Sequence, residues 1–147
     1  MEKQEFIEVA AKHFIIAAQW IETPDSWMRE AKPTKAAKRV ALRYVADFID
    51  AAGPLIAQLD DCAGYGSHPD AGSPAAAFGH DLYLTSQGHG VGFWDRKELE
   101  IETPTGETLG DALTALAEKP KFASFYPEFY RGWLYLHWAA ACDGGTK

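Results

Sequence analysis

At 147 residues the chain fits one compact domain, or one domain with a semi-independent helical piece, and its 47% hydrophobic and 24% charged residues exclude a disordered protein. With 21 acidic against 14 basic residues the net charge is −7. That charge argues against direct DNA or RNA binding and suits a partner whose own surface is basic. The longest apolar stretch, FIIAAQWI at 14–21, is too short to span a bilayer.

In chain order, the first half reads as helix. Between Glu2 and Glu22, Phe6, Val9, Ala10, Ala17, Trp20 and Ile21 recur at three- and four-residue intervals, and Phe14 and Ile15 widen the stripe. His13 lies on that apolar face and reads as a satisfied core histidine. Thr23-Pro24-Asp25 is a stop and restart, with a short helix ended by Pro33. Thr34 is the next N-cap, opening a helix to about Ala52 with Ala37, Ala41, Tyr44, Phe48 and Ala51 on its apolar face. Lys35, Arg39 and Arg43 form a basic row there, and Asp47 and Asp50 follow, an order opposed to the helix dipole. Gly53-Pro54 breaks the helix, and PLIAQLDDC predicts one more short one. Residues 63–74, AGYGSHPDAGSP, read as a linker. The expected organisation is a helical region at 1–62, the linker, and an α+β module at 75–147.

The segment GHDLYLTSQGHGVGFWDR at 79–96 predicts a tight β-hairpin turning at Gln87-Gly88. In that register Leu82, Leu84, Val91 and Phe93 share a core face, and His80 faces Asp95 as a cross-strand clasp. His80 and His89 then sit at opposite ends of the ribbon, roughly 20 Å apart at ~3.3 Å per residue, and cannot share one metal ion. Beyond the hairpin, Glu98, Glu100 and Glu102 alternate in an extended segment or loop. Thr108 caps a helix carrying Leu109, Leu113 and Leu116, which Pro120 ends. The last part, rich in aromatics, predicts two strands joined near Arg131-Gly132, although WLYLHW also fits the start of a helix. The expected fold is α+β: three or four helices, then a small antiparallel sheet of about four strands arranged as hairpin, helix, hairpin.

Enzyme signatures are missing from the sequence. The glycines at 64–67 and 88–92 lack the strand and helix context of a dinucleotide site, and no Walker lysine, GxSxG or HExxH is present. Cys62 and Cys142 form no zinc pattern, and Cys62 has no identifiable base. The charged start MEKQEF resembles no leader, so a reducing, cytoplasmic setting is expected. No cofactor is expected.

The box at 79–96 resembles a family of small phage- and plasmid-borne proteins that share a sequence close to GHDFWLTRNGHGAGFWDR. A TLGDALT-like helix start, here Thr108–Thr114, follows in both, and the resemblance covers roughly residues 75–138. Tyr83 stands at a Trp-like position of that box, and Ser86-Gln87 stands at its Arg-Asn. The resemblance implies a mobile-element origin more than an activity. In size, acidity and lack of motifs the chain is similar to anti-CRISPR proteins.

The expectation is therefore a non-enzymatic inhibitor that binds a bacterial defence complex, with no nucleic acid or membrane contact. Its candidate contacts are acidic (Asp60, Asp61, Glu98, Glu100, Glu102) and aromatic (Tyr126, Tyr130, Trp133), the latter drawn from eight aromatics between Phe122 and Trp138. His80, Leu82, Leu84, Gly88, Val91, Phe93 and Asp95 are expected to serve the hairpin. A homodimer seam is equally open for the aromatics. Alternatives are a metal-assisted hydrolase using His80 and Asp95, and a phage accessory or structural component.

Overall fold

The computed structural model describes residues 2–21, 30–67, 72–89 and 91–141, and among them it is an α+β fold of six α-helices and one three-stranded sheet. Helix α1 (Lys3–Ile21) follows the predicted stripe and buries Ala10, Ala11, Phe14, Ala17 and Ala18. The small residues on this face let a second helix approach closely. Residues 23–25, read as a stop and restart, lie outside the described residues. Strand β1 (Lys32–Pro33) leads into α2 (Lys35–Ala52), where the Thr34 hydroxyl accepts the Ala37 N–H at 2.9 Å as its N-cap. Helix α3 (Pro54–Ala57) and a 3-10 turn at Gln58–Asp61 follow.

The predicted hairpin at 79–96 is not formed. Its first half belongs to helix α4 (Pro74–Ser86), capped by the Ser73 hydroxyl on the Ala76 N–H at 3.1 Å, with Pro74 at the first helical position. The Gln87-Gly88 pair closes this helix instead of turning a ribbon. Gly88 has φ +71°, its N–H donates to the Thr85 carbonyl, and the His89 N–H donates to the Leu84 carbonyl. These two bonds are the Schellman arrangement. A left-handed glycine serves a hairpin turn and a helix end equally well, and that ambiguity produced the wrong reading. In the second half of the box the described residues 91–96 contain a 3-10 turn at Phe93–Asp95.

Leu82, Leu84 and Phe93 are buried as expected, but through helix packing, whereas Val91 is 40% exposed. Asp95 is exposed on the 3-10 turn, and His80 bonds to His13, so the His80–Asp95 clasp does not form. The box is closed one residue over, by Asp81 and Arg96. Gly79 has its own reason: a Cβ there would collide with the Ala10 carbonyl oxygen, so glycine sets how closely α4 lies on α1.

Helix α5 (Leu109–Ala117) starts as predicted, with the Thr108 hydroxyl accepting the Asp111 N–H at 3.1 Å. Helix α6 (Pro120–Ala123) precedes strands β2 (Phe125–Tyr130) and β3 (Trp133–Trp138), joined through Arg131 (φ +51°) and Gly132 (φ +81°). Two consecutive positive φ values make this a hairpin turn matched to the strand twist. β3 is central, antiparallel to β2 and parallel to β1, so the sheet is mixed and has three strands instead of about four.

One aromatic core joins the two halves of the chain. Phe14, Tyr44, Tyr83 and Phe125 meet ring to ring, and Phe48 meets Phe78, Phe93 and Phe122. The segment read as a linker contributes Tyr65 to that core. Helices and sheet therefore bury a common surface, with no separation in the packing at 63–74 among the described residues.

Candidate functional site

Two regions carry chemistry that the core does not use. The first is the outer face of the sheet. Side chains alternate along β2 and β3, so Phe125, Leu134, Leu136 and Trp138 point to the core, while Tyr126, Glu128, Tyr130 and Trp133 point outward. Tyr126 is 56% exposed, Tyr130 53% and Trp133 45%. Cross-strand register places Tyr126 beside His137 and Tyr130 beside Trp133. Tyr126 stacks on the His137 ring at 4.7 Å, and His137 bonds to Glu128 at 2.8 Å. Arg131 lies over the Tyr130 ring at 5.2 Å. Lys32 is paired in register with Trp133 on the other side.

The free edge of this sheet is blunted. In a two-residue hairpin the pair flanking the turn is hydrogen-bonded, so Phe125, Pro127 and Phe129 turn their backbone groups outward. Pro127 has no N–H to offer there, and Gln87 Nε2 donates to the Phe125 carbonyl at 2.9 Å. A partner would meet this sheet through its side chains, not by extending it.

The second region is a cleft of about 600 Å³ beside α4, lined by Tyr65, Ser67, Ala77, His80, Asp81, Leu84, Arg96 and Glu98. Ala77, His80, Asp81 and Leu84 stand at i, i+3, i+4 and i+7 of α4, which puts them on one face. At its floor the Asp81 carboxylate is buried. One oxygen accepts Arg96 Nε at 2.9 Å and Nη2 at 2.7 Å, and the other accepts the Tyr65 hydroxyl at 2.7 Å. Burial and then the Asp81 charge push the Tyr65 pKa well up, so its proton stays on. The Asp81 hydrogen bonds raise that of Arg96, which stays charged.

At the side of the cleft His13 Nδ1 lies 3.2 Å from His80 Nε2, with ring centroids 5.2 Å apart. This contact ties α1 to α4. One imidazole donates and the other accepts, so the bonded pair is neutral on at least one side. Burial lowers both pKa values. The neighbouring Lys12 lowers His13 further, and His13 lowers His80 further, partly offset by Asp81.

Of the acidic candidates, Asp61 and Glu98 both bear on the Cys62 thiol, which burial first and these two charges next hold protonated. Asp60 adjoins Asp61 on the same 3-10 turn. Glu100 is exposed, and Glu102 pairs with Thr108 in an isolated bridge. Of the acidic set, then, Asp61 and Glu98 come together at Cys62, and only Glu98 lines the cleft. The hydrolase reading requires His80 and Asp95 together, but Asp95 is not among the cleft residues, and no group of three metal-ligating side chains exists among the described residues. Cys142 lies outside the described residues.

Sequence reasoning missed Tyr65, Arg96 and the His13–His80 pair. Tyr65 sat in an apparent linker, and the two histidines are 67 residues apart. Asp81 and Arg96 lie 15 positions apart, and a hairpin register does not bring them together as the α4 helix and the 93–96 turn do. No helix of the described residues is long and apolar enough to cross a membrane. No protein-family model, no curated protein and no solved structure matches the chain.

Proposed function

We propose that this chain is a non-enzymatic, mobile-element protein that inhibits a bacterial defence complex by binding it through the outer face of its sheet. The observation that carries the reading is the aromatic face: Tyr126, Tyr130 and Trp133, each about half exposed, on a rigid hairpin whose other side is core. Tyr, Trp and Arg are the residue types that dominate protein interfaces, and preorganised rings lose little entropy on docking. Glu128, Arg131 and Lys32 flank them as a polar rim. The overall charge of −7 supports a partner with basic surface, as nucleic-acid-handling complexes have. The acids Asp61 and Glu98, which meet at Cys62, and Asp60 next to them in the chain are a secondary contact in this reading. The cytoplasm of the host is where such a partner is found.

The test is co-purification with reconstituted defence effectors, CRISPR complexes first, followed by their nuclease activity. Co-elution with one complex and loss of its activity are expected for the wild type. The triple variant Tyr126→Ser, Tyr130→Ser, Trp133→Ser is expected to stay folded and lose both. Inhibition that survives the triple variant would remove the sheet face from the mechanism. Activity of every effector left untouched by the wild-type chain would remove the reading itself.

A further inference from the structure

The cleft beside α4 has unspent polar groups of both signs. Arg96 spends Nε and one Nη2 hydrogen on Asp81, leaving its Nη1 end without a partner among the described residues, and its side chain is 36% exposed. That end is a planar fork of the kind that takes two oxygens of a carboxylate. Asp81, 2% exposed and also held by Tyr65, fixes the fork in place. His80 lines the same cleft and feels the Arg96 charge, with its Nδ1 unbonded among the described residues. Glu98 lines it too, its side chain beside Gly64, and its carboxylate has no hydrogen-bond or ion-pair partner among the described residues. Ala77 and Leu84 supply apolar wall between these polar groups.

We propose that this cleft binds a small amino-acid zwitterion, its carboxylate on the Arg96 fork and His80, its ammonium on Glu98, and its side chain against Ala77 and Leu84. A simple anion is disfavoured, because the Arg96 charge is already matched by Asp81 and Glu98 adds a negative one. A simple amine is disfavoured by the guanidinium. A ligand bearing both charges satisfies each group, and a volume of about 600 Å³ is ample for one amino acid. This site is separate from the sheet face and does not depend on the inhibitor reading.

The experiment is an NMR titration of the isotopically labelled full chain, following the His80 ring and the Arg96 Nε signals. The probes are the set of common amino acids, then the best binder's deaminated carboxylate and its decarboxylated amine. Saturable shifts at both residues are expected with at least one amino acid, with the carboxylate analogue weaker by roughly fivefold and the amine weaker still. Glu98→Gln, an exposed and unpaired position, is expected to reduce the amino acid to the level of its carboxylate analogue without changing the fold. The Tyr126, Tyr130, Trp133 triple variant is expected to bind the ligand unchanged, so failure here is distinguishable from failure of the sheet-face reading. No saturable shift with any amino acid would overturn the proposal. So would an amine or carboxylate binding as tightly as the parent, or a Glu98→Gln variant with undiminished affinity.

Discussion

The 79–96 segment and the 125–138 hairpin both hinge on a residue pair ending in a left-handed glycine, yet one closes a helix and the other turns a ribbon. At Gln87-Gly88 only the glycine has positive φ, and the preceding thirteen residues, capped by Ser73, are already helical. At Arg131-Gly132 both residues have positive φ, which matches the twist of two strands. The regions also differ in burial. Helix α4 is enclosed nearly all round, by α1 on one side and by the returning Phe93–Arg96 loop on another, whereas the hairpin keeps one face in the core and one in solvent. The enclosed region stores its chemistry in a buried ion pair; the open one presents it as rings.

The largest effect that would sharpen this contrast is at the ion pair. Arg96→Ala leaves the Asp81 carboxylate buried with only the Tyr65 hydroxyl, and about 3 kcal/mol of stability should be lost in urea unfolding. Asp81→Asn leaves Arg96 with access to water and should cost less, about 1–2 kcal/mol. An equal cost for the two would mean that Asp81 is not the trapped partner. Next comes Gly79→Ala, whose new methyl meets the Ala10 carbonyl and should cost about 2 kcal/mol as α4 is forced off α1. A neutral result would show that the two helices slide freely. Gly88→Ala has open space around it and only the positive φ to oppose it, so about 1 kcal/mol is expected.

The histidine pair predicts a pH effect with a definite sign. His13 and His80 both have folded pKa values below the ordinary 6.5, so the unfolded chain binds more protons as the solution becomes acidic. Their favourable contribution is fully present above about pH 6.5 and is lost as pH falls through the lowered values. Thermal unfolding of the wild type beside the His13→Gln, His80→Gln double variant should show a steeper acid decline for the wild type. Parallel profiles would exclude the pair as the source. The smallest effect belongs to the open face: Tyr126→Ser or Tyr130→Ser alone should change stability by only about 0.5 kcal/mol, since each ring is more than half exposed. A large loss there would mean that the outer face is structural.

Much of the fold was legible where local chemistry is unambiguous. Thr34 and Thr108 are N-caps because their hydroxyls meet the first free N–H groups, and Pro120 marks the end of α5 because it cannot continue a helix. The aromatic hairpin was legible because its inner and outer residues alternate. Helix α4 was not, because burial on almost every side erases the 3.6-residue stripe that identifies a surface helix. With no stripe, the alternation of Leu82 and Leu84 looked like a strand. The aromatic and acidic contact candidates could be named from composition, but which rings are exposed depends on which face of β2 and β3 the helices cover.

By itself the sequence determined the acidic charge, the caps and breaks of α2 and α5, and the turn at Arg131-Gly132, all set by residues within a few positions of one another. Tertiary structure alone decided that Gly88 ends a helix, that Asp81 meets Arg96 and Tyr65, and that His80 meets His13. The Asp81 and His80 contacts join residues 15 to 67 positions apart, and such pairings have no period in the chain that a local reading can detect; the bonds at Gly88 are local, but the burial of α4 hid the helix they close.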